Sequence, residues 1–541
     1  MPNRALAALV ALLVVCAGCT KIDAPSHDGR NAWTKPGVIR IGNSDEPDGL
    51  NPLFSHSAAS DQIQTLLFAY VFRYSAKGEL IPEVATAVPT YENHGISRDG
   101  RTITIHIRKG ITWADGAPLD ARDVLFTYHA VMNPRNNTKL RIGWDDIAAM
   151  DAPDRYTVVA HMKRVNSAIV STIWGGGGGA SYPPLPEHLL GTLPDLNKAA
   201  FNTAPLSSGP FTLADWQHGA ALEFHANPKY WRGVPRAQSI VWKIVPNPDT
   251  LFQELQTHDI DLYDGVAENQ LAQLAALPGI VVKKRLTANW RHIEINTRRP
   301  QLSDVRVRRA IALGVDWDRI NTTIFHGINR RATSDVVPDS WAAPTIAQWK
   351  FDPKGAARLL DAAGWRAPHG GIRERNGLPL LIVISATNKP QNEQTEVQMQ
   401  QQLRAIGIDL RIKNYPASVL FAQNGPLYGG RYDLSFSIDT NGPEPDNAGS
   451  WGAKYIPPHG SNTSFLADPI LSAAGEDALL TFDRAKRKAL YQREEERIHE
   501  LVPAIFVYWE MSTVASNSDL HSYVPAEYDM AAFWNSYAWS I

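Results

Sequence analysis

Strict alternation of apolar and polar residues marks the strands of this chain. In RDGRTITIHIRKG, Ile103, Ile105 and Ile107 alternate with polar neighbours, a half-buried strand entered through an Asp99-Gly100 turn. Leu434, Phe436 and Ile438 alternate in the same way in YDLSFSI, and LPLLIVISA (378–386), GIDLRIKNY (407–415) and AIFVYWEMSTVAS (504–516) read as further strands. Elsewhere a helical period takes over. After an Asp115-Gly116 turn, Asp120 suits an N-cap with Asp123 at capping-box spacing, and Val124, Leu125, Tyr128 and Val131 recur on one face. Asp352, Pro353 and Gly364 suit the cap, first turn and stop of a second helix, whose face is Ala356, Leu359, Leu360 and Ala363. A Gln-rich helix from about Glu393 to Ala405 falls between two of the strands. Strand–helix–strand order predicts an α/β lobe.

Length changes this picture by requiring more than one core: 541 residues predict two or three domains. Charge excludes one class of partner. The formal net charge of −2 leaves no basic footprint for nucleic acid. The 16 Trp, 17 Tyr and 16 Phe are enough for packing and for lining a ligand cleft. At the N-terminus, Arg4 precedes an apolar run from Ala5 to Val15, too short to span a bilayer, then Ala17, Gly18 and Cys19. This reads as an export signal. Its end, CAGC, resembles a bacterial lipoprotein signal in which Cys19 is lipidated and becomes the mature N-terminus, with an ordinary secretory signal as the alternative. Cys16 and Cys19 are the two cysteines, so cleavage before Cys19 leaves neither a disulfide nor a cysteine metal site. Residues 1–18 are thus expected to be the signal and 19–36 a flexible tether on a lipid-anchored, periplasmic or surface-exposed body.

Catalytic motifs do not appear. GGGGG at 175–179 lacks the Gly-Lys-Ser/Thr ending of a phosphate loop and reads as a flexible or close-packed loop. HExxH, GxSxG and SxxK are absent, and the 16 histidines are scattered. The acid-rich DTNGPEPDN (439–447) opens like a calcium loop, but Ser450 stands where such a loop needs its bidentate Glu. No enzyme activity, metal or cofactor is expected. A glycosidase-like pair among the acids at 439–447 is the remote alternative.

Six segments in order resemble the bacterial extracellular solute-binding proteins of family 5, the large peptide-binding receptors of ABC importers. DGLNPLFSHSAASDQIQTLLFAYVFRYSAKGELIPEVAT is similar to the family's opening, and IRKGITWADGAPLDARDV to its "Arg-Lys-Gly … Trp-x-Asp-Gly-x-Pro" block. SSGPFTLADWQHGAALEFHANPKYW, INTRRPQLSDVRVRRAIALGVDWDRI, LLDAAGW and the late "Pro-x-x-x-Val-Tyr" strand complete the set. The resemblance implies a two-lobed α/β periplasmic-binding-protein fold of the large, type II-like class, with an extra subdomain inserted in lobe I. Lobe I would take 37–74, 203–289 and 510–541, the insertion 75–202, and lobe II 290–509. Two strands near Arg291–Asn296 and Phe506–Trp509 would form the hinge.

The same resemblance implies a ligand site. Relatives neutralise a peptide's α-ammonium with an Asp after a strand, and three residues here compete for that place: Asp439, Asn441 and Glu444. His56, Ser57 and Ala58 map to a segment that offers backbone hydrogen bonds to an extended peptide. Asp264 and Gly265 match another cleft turn, and Trp451 is placed either to stack on ligand or to pack in the core. Ile438, and Ala417 or Ser418, fall where oligopeptide relatives carry Trp. The implied cargo is a di- or oligopeptide, with a nickel complex, haem, oligosaccharide or opine as alternatives. The implied partners are permease subunits and, through the lipid, a membrane; the chain is expected to be a monomer.

Overall fold

The computed structural model describes residues 29–176, 179–367, 370–528 and 531–541. The export signal, Cys19 and the first part of the tether lie outside the described residues, as do Gly177 and Gly178 of the glycine run. An 11-stranded mixed sheet runs through the body. From one edge its order is Asp409–Ile412, Leu381–Ser385, Leu434–Thr440, Ile280–Ile295, Ala504–Asn517, Leu262–Asp264, Val38–Asn43, Ser239–Ile244, Ala221–Ala226 and Phe211–Gln217, with Arg330–Arg331 also paired to Ala504–Asn517.

The two longest strands sit at its centre, antiparallel. Residues 280–286 pair with 511–517, and residues 290–294 with 504–509. Between these stretches the register shifts, and Ala288 takes a left-handed conformation with φ of 62°. Thr287 bridges the gap: its Oγ1 donates to Glu510 O (3.0 Å) and accepts from the Asn289 N–H (3.2 Å). A second register shift falls between Arg291 and His292, within the expected stretch at 291–296, so the ladder is irregular at two places, the first of them where the Thr287 side chain replaces ladder hydrogen bonds.

Burial follows the halves of the sheet. Ile39, Phe224 and Trp242 share a core with Ile103, Trp113 and Val124 of the segment at 75–202. Ile293, Leu360, Ile382, Leu403 and Phe436 belong to a second core. A third gathers Tyr74, Trp290, Trp451, Phe506 and Tyr528 around the central strands. Local signals behave as their chemistry requires. Asp120 and Asp123 form the reciprocal capping box of helix Ala121–Met132, and Asp352 caps helix Pro353–Ala362. Helix Pro390–Ala405 starts three residues before its expected Glu393, since Pro390 suits the first turn.

One expectation is corrected. The last part of the 19–36 tether is docked, not flexible: Trp33 stacks on His258 (ring centroids 4.0 Å apart), and Asn31 N and Thr34 Oγ1 both donate to Asp519 (2.8 and 2.5 Å). A flat aromatic and two short polar side chains give this stretch enough contact to hold it.

Helix Arg484–Leu501 carries two acids into the interior. Glu494 and Glu495 are 0% and 1% exposed. Burial, then the neighbouring Asp335 carboxylate, holds both well above the usual carboxylate range. An acid whose folded pKa is raised loses its proton first in the unfolded chain, so these groups lower stability as pH rises above their unfolded value. Glu494→Gln is therefore expected to raise the melting temperature at pH 7 by roughly 2 °C or more, as about 1 kcal/mol does in a large domain. The gain should vanish below about pH 4, where both states are protonated. Calorimetric scans at the two pH values check this.

Candidate functional site

Strand Leu434–Thr440 turns Leu434 and Phe436 into the second core and leaves Ser435, Ser437 and Asp439 on its other face. Its antiparallel neighbour sets Trp290 opposite Asp439 and His292 opposite Ser437, with Glu294 one step further along. The even-numbered side chains of one strand and the odd-numbered of the other thus line one cavity, of about 290 Å³. Tyr428, Asp446 and Ser450 complete its wall.

The electrostatics are unequal. His292 Nε2 lies 3.2 Å from Glu294 Oε2 and 3.7 Å from Asp439 Oδ2. The imidazole is 2% exposed, whereas Asp439 is 62% exposed at the mouth. The His292 ring also stacks on Trp290, centroids 4.2 Å apart. Burial opposes a charge on His292, but the hydrogen bond to Glu294 and the field of Asp439 outweigh it and raise the imidazole above its ordinary pKa. Glu294, Asp439 and Asp446 face one histidine, and no Lys or Arg lines the cavity among the described residues. That balance suits a cationic group.

Backbone geometry adds a second feature. Asn296 N donates to Asp433 O (3.0 Å) and Asn441 N to Ala288 O (3.1 Å), so odd-numbered residues of the strand aim their amides at the central pair. The amides of Phe436, Ile438 and Thr440 aim the other way. On that side Leu381–Ser385 pairs only with Leu434 and Ser435. Residues 438–440 are solvent-exposed, so their outer edge is an accessible template for another extended chain.

The structure scatters the remaining sequence candidates. Asn441 and Trp451 do reach the Asp439 cavity, but both are held by Asp335. Asn441 Nδ2 donates to Asp335 O, and Trp451 Nε1 to Asp335 Oδ2 (2.8 Å), while Asn447 Nδ2 bonds Oδ1 (3.0 Å). Trp451 is 2% exposed and packs edge-on against Phe506, so its main role is in the core. Glu444 is half-buried in an ion pair with Arg487 and faces a different cavity, of about 600 Å³, between residues 74–96 and helix Arg484–Leu501. Of the three rivals, Asp439 is the acid left exposed beside the cavity.

His56, Ser57 and Ala58 do not form an extended ligand-pairing segment. His56 N and Ser57 N donate to Asp48 (2.8 and 3.3 Å), Ser57 caps helix Ala58–Leu67, and Ala58 is its first residue. The cap commits those backbone groups locally. His56 itself is exposed and lines a separate cavity of about 830 Å³. Asp264 is likewise engaged, bonded by Arg285 Nε (2.8 Å) and Ser512 Oγ (2.8 Å). Gly265 follows it at φ of 99° and borders a cavity of about 230 Å³ shared with Arg291 and Glu510. His292 and Glu294 were missed by sequence reading. The alternation in RHIEI puts both on one face, but only register reveals that this face meets Asp439.

Comparison with known proteins gives a consistent result. Residues 79–462 match the model of the bacterial extracellular solute-binding proteins, family 5 middle region. The oligopeptide-binding protein AppA of Bacillus subtilis is 24% identical over 538 residues, covering 96% of this chain and 95% of that one. The nickel-binding periplasmic protein of Escherichia coli is 24% identical over 506 residues, 88% and 90% of the two chains. Among solved structures, Bacillus subtilis AppA in complex with a nonapeptide shares the fold at a TM-score of 0.71 and 23% identity, covering 93% of this chain and 99% of that one. NikZ from Campylobacter jejuni in complex with Ni(L-His) does so at 0.73 and 24%, covering 94% and 100%.

The Asp335 hub makes the loop after the strand testable. Asp335→Ala leaves the buried Trp451 and Asn447 donors without their acceptor, at a cost of about 1–3 kcal/mol for each. A lower denaturant midpoint, with faster proteolysis within 441–451, is the expected outcome.

Proposed function

The chain belongs to the bacterial extracellular solute-binding proteins of family 5 and is a substrate-binding protein of the ABC-transporter type, and from that premise we propose that its cargo is a peptide with a free amino terminus. The observation that carries this reading is the coincidence of an exposed, unpaired strand edge at 438–440 with the Asp439 carboxylate on the same strand. A peptide laid along that edge would gain main-chain hydrogen bonds regardless of its sequence. Its ammonium would meet the acid at the cavity mouth, where closing the lobes would otherwise strand a charge away from water. Capture then consists of lobe closure, favoured only so far as the cargo binds the closed state better than the open one. The closed form would dock on a permease, as a monomer, and no covalent step is assigned to the chain.

The chemistry within the cavity also admits a second cargo, a metal already wrapped in its own chelator. His292 beside two carboxylates favours it, and among the described residues no group of such side chains is arranged to hold a bare ion. Native mass spectrometry of protein purified from its host separates the two readings by the mass that co-purifies.

Asp439→Asn should weaken a free-amine peptide such as tetra-alanine by about tenfold or more, the worth of roughly 1.5–3 kcal/mol for a charged hydrogen bond. The N-acetylated peptide should bind the variant and the parent alike. Calorimetric titration with both peptides checks this, and equal affinity of the free-amine peptide for the two proteins would refute the role of Asp439. We further propose that Cys19 carries the lipid anchor. Cys19→Ser should move the protein from the membrane fraction to the soluble fraction, read by immunoblot.

A further inference from the structure

We propose that His292 carries a proton that competes with the cargo's cationic group for Asp439, so that capture of an amine expels that proton. The inference deepens the peptide reading and rests on it for the identity of the cation. Its geometry stands on its own. The Nε2 atom faces Glu294 along its own strand and Asp439 across the neighbouring one, at 3.2 and 3.7 Å. Glu294 is 6% exposed at the back of the cavity, whereas Asp439 is open to solvent. An imidazolium at this position satisfies Asp439 from behind. An ammonium arriving from the cleft satisfies it from in front.

The other groups packed around the ring do not supply an alternative counter-charge. Tyr428 and Asp446 lie on the covering segments, and Tyr432 is buried with its hydroxyl donating to Thr463 O. Burial raises both tyrosines above their ordinary range, keeping them neutral, whereas Asp446 stands solvent-exposed on the wall. Burial also raises Glu294, against the pull of His292. Trp290, stacked on the ring, excludes water from one side without adding charge. An ammonium that neutralises Asp439 removes the field that helps hold the imidazole's proton, and burial of the ring, 2% exposed, then favours its loss.

The direction follows from linkage. The raised imidazole holds its proton to higher pH than a free histidine does, and a cation that displaces it binds more weakly as pH falls through that value. Exchange of one proton for one ammonium gives at most about a tenfold change in affinity per pH unit. A neutral cargo shows none of this dependence.

Two measurements on the full chain test it. Histidine-selective NMR follows the imidazole of His292, assigned by the signal lost in His292→Gln. In the free protein its pKa is expected to lie above the ordinary value and to fall in Asp439→Asn; an unchanged pKa in that variant overturns the proposal whatever the cargo. Calorimetry with tetra-alanine between pH 5.5 and 7.5 (in buffers of different ionisation enthalpy) reads proton release directly. Affinity rising with pH, with up to one proton expelled and both effects lost in His292→Gln, supports the exchange. Tetra-alanine binding without proton release overturns it and leaves the peptide reading intact. Absence of binding at every pH counts against the peptide reading instead, and the NMR result then decides the His292–Asp439 coupling alone.

Discussion

The ladder between Ile280–Ile295 and Ala504–Asn517 is the constraint on which the rest depends. It joins the two halves of the sheet, and its register shifts twice, between Leu286 and Trp290, where the Thr287 side chain bonds Glu510 O and the Asn289 N–H, and between Arg291 and His292. Backbone hydrogen bonds on either side fix the two halves separately, while a short stretch with left-handed Ala288 joins them. If the proposed lobes close on cargo, this is where a few backbone angles would absorb the rotation. The same strand carries site residues on both faces. Trp290, His292 and Glu294 point to one cavity, and Arg291 points to another, where Glu510 and Asn392 hold it beneath Phe325 and Phe436. The break and the cavity walls thus belong to the same strand.

Local physics made much of the fold legible. A capping box, a proline in a first turn and strict alternation need no partner beyond a few residues, so Asp120 with Asp123, Asp352 with Pro353, and Leu434 with Phe436 could be read in place. What alternation cannot supply is register. RHIEI shows that His292 and Glu294 share a face, but Asp439 joins them only because Trp290 stands opposite Asp439 in the sheet. The docked stretch at Asn31–Thr34 was illegible for the same reason, since its partners lie near the other end of the chain.

Family resemblance pointed to one loop and left the choice among its acids open, because sequence spacing does not record which charges are already neutralised. Glu444 is consumed by Arg487, Asp264 by Arg285, and Asp48 by the helix start at Ser57. Each is an acid placed near a cavity whose charge is answered from within the protein. Asp335 goes further, spending its carboxylate and its carbonyl on holding Trp451, Asn447 and Asn441 in the wall.

Asp439 differs from all of these in having its partner, His292, behind it and solvent in front. A buried arginine there would neutralise the acid permanently and leave an arriving ammonium nothing to gain. A solvated acid with no partner would offer its full charge but would be screened by water and salt until the lobes closed. Histidine lies between these extremes, because its proton can leave at modest cost near neutral pH. On the proposed reading the strand edge at 438–440 would recognise any extended backbone, so discrimination among cargos would fall to the one position on that strand where charge is exchangeable rather than fixed.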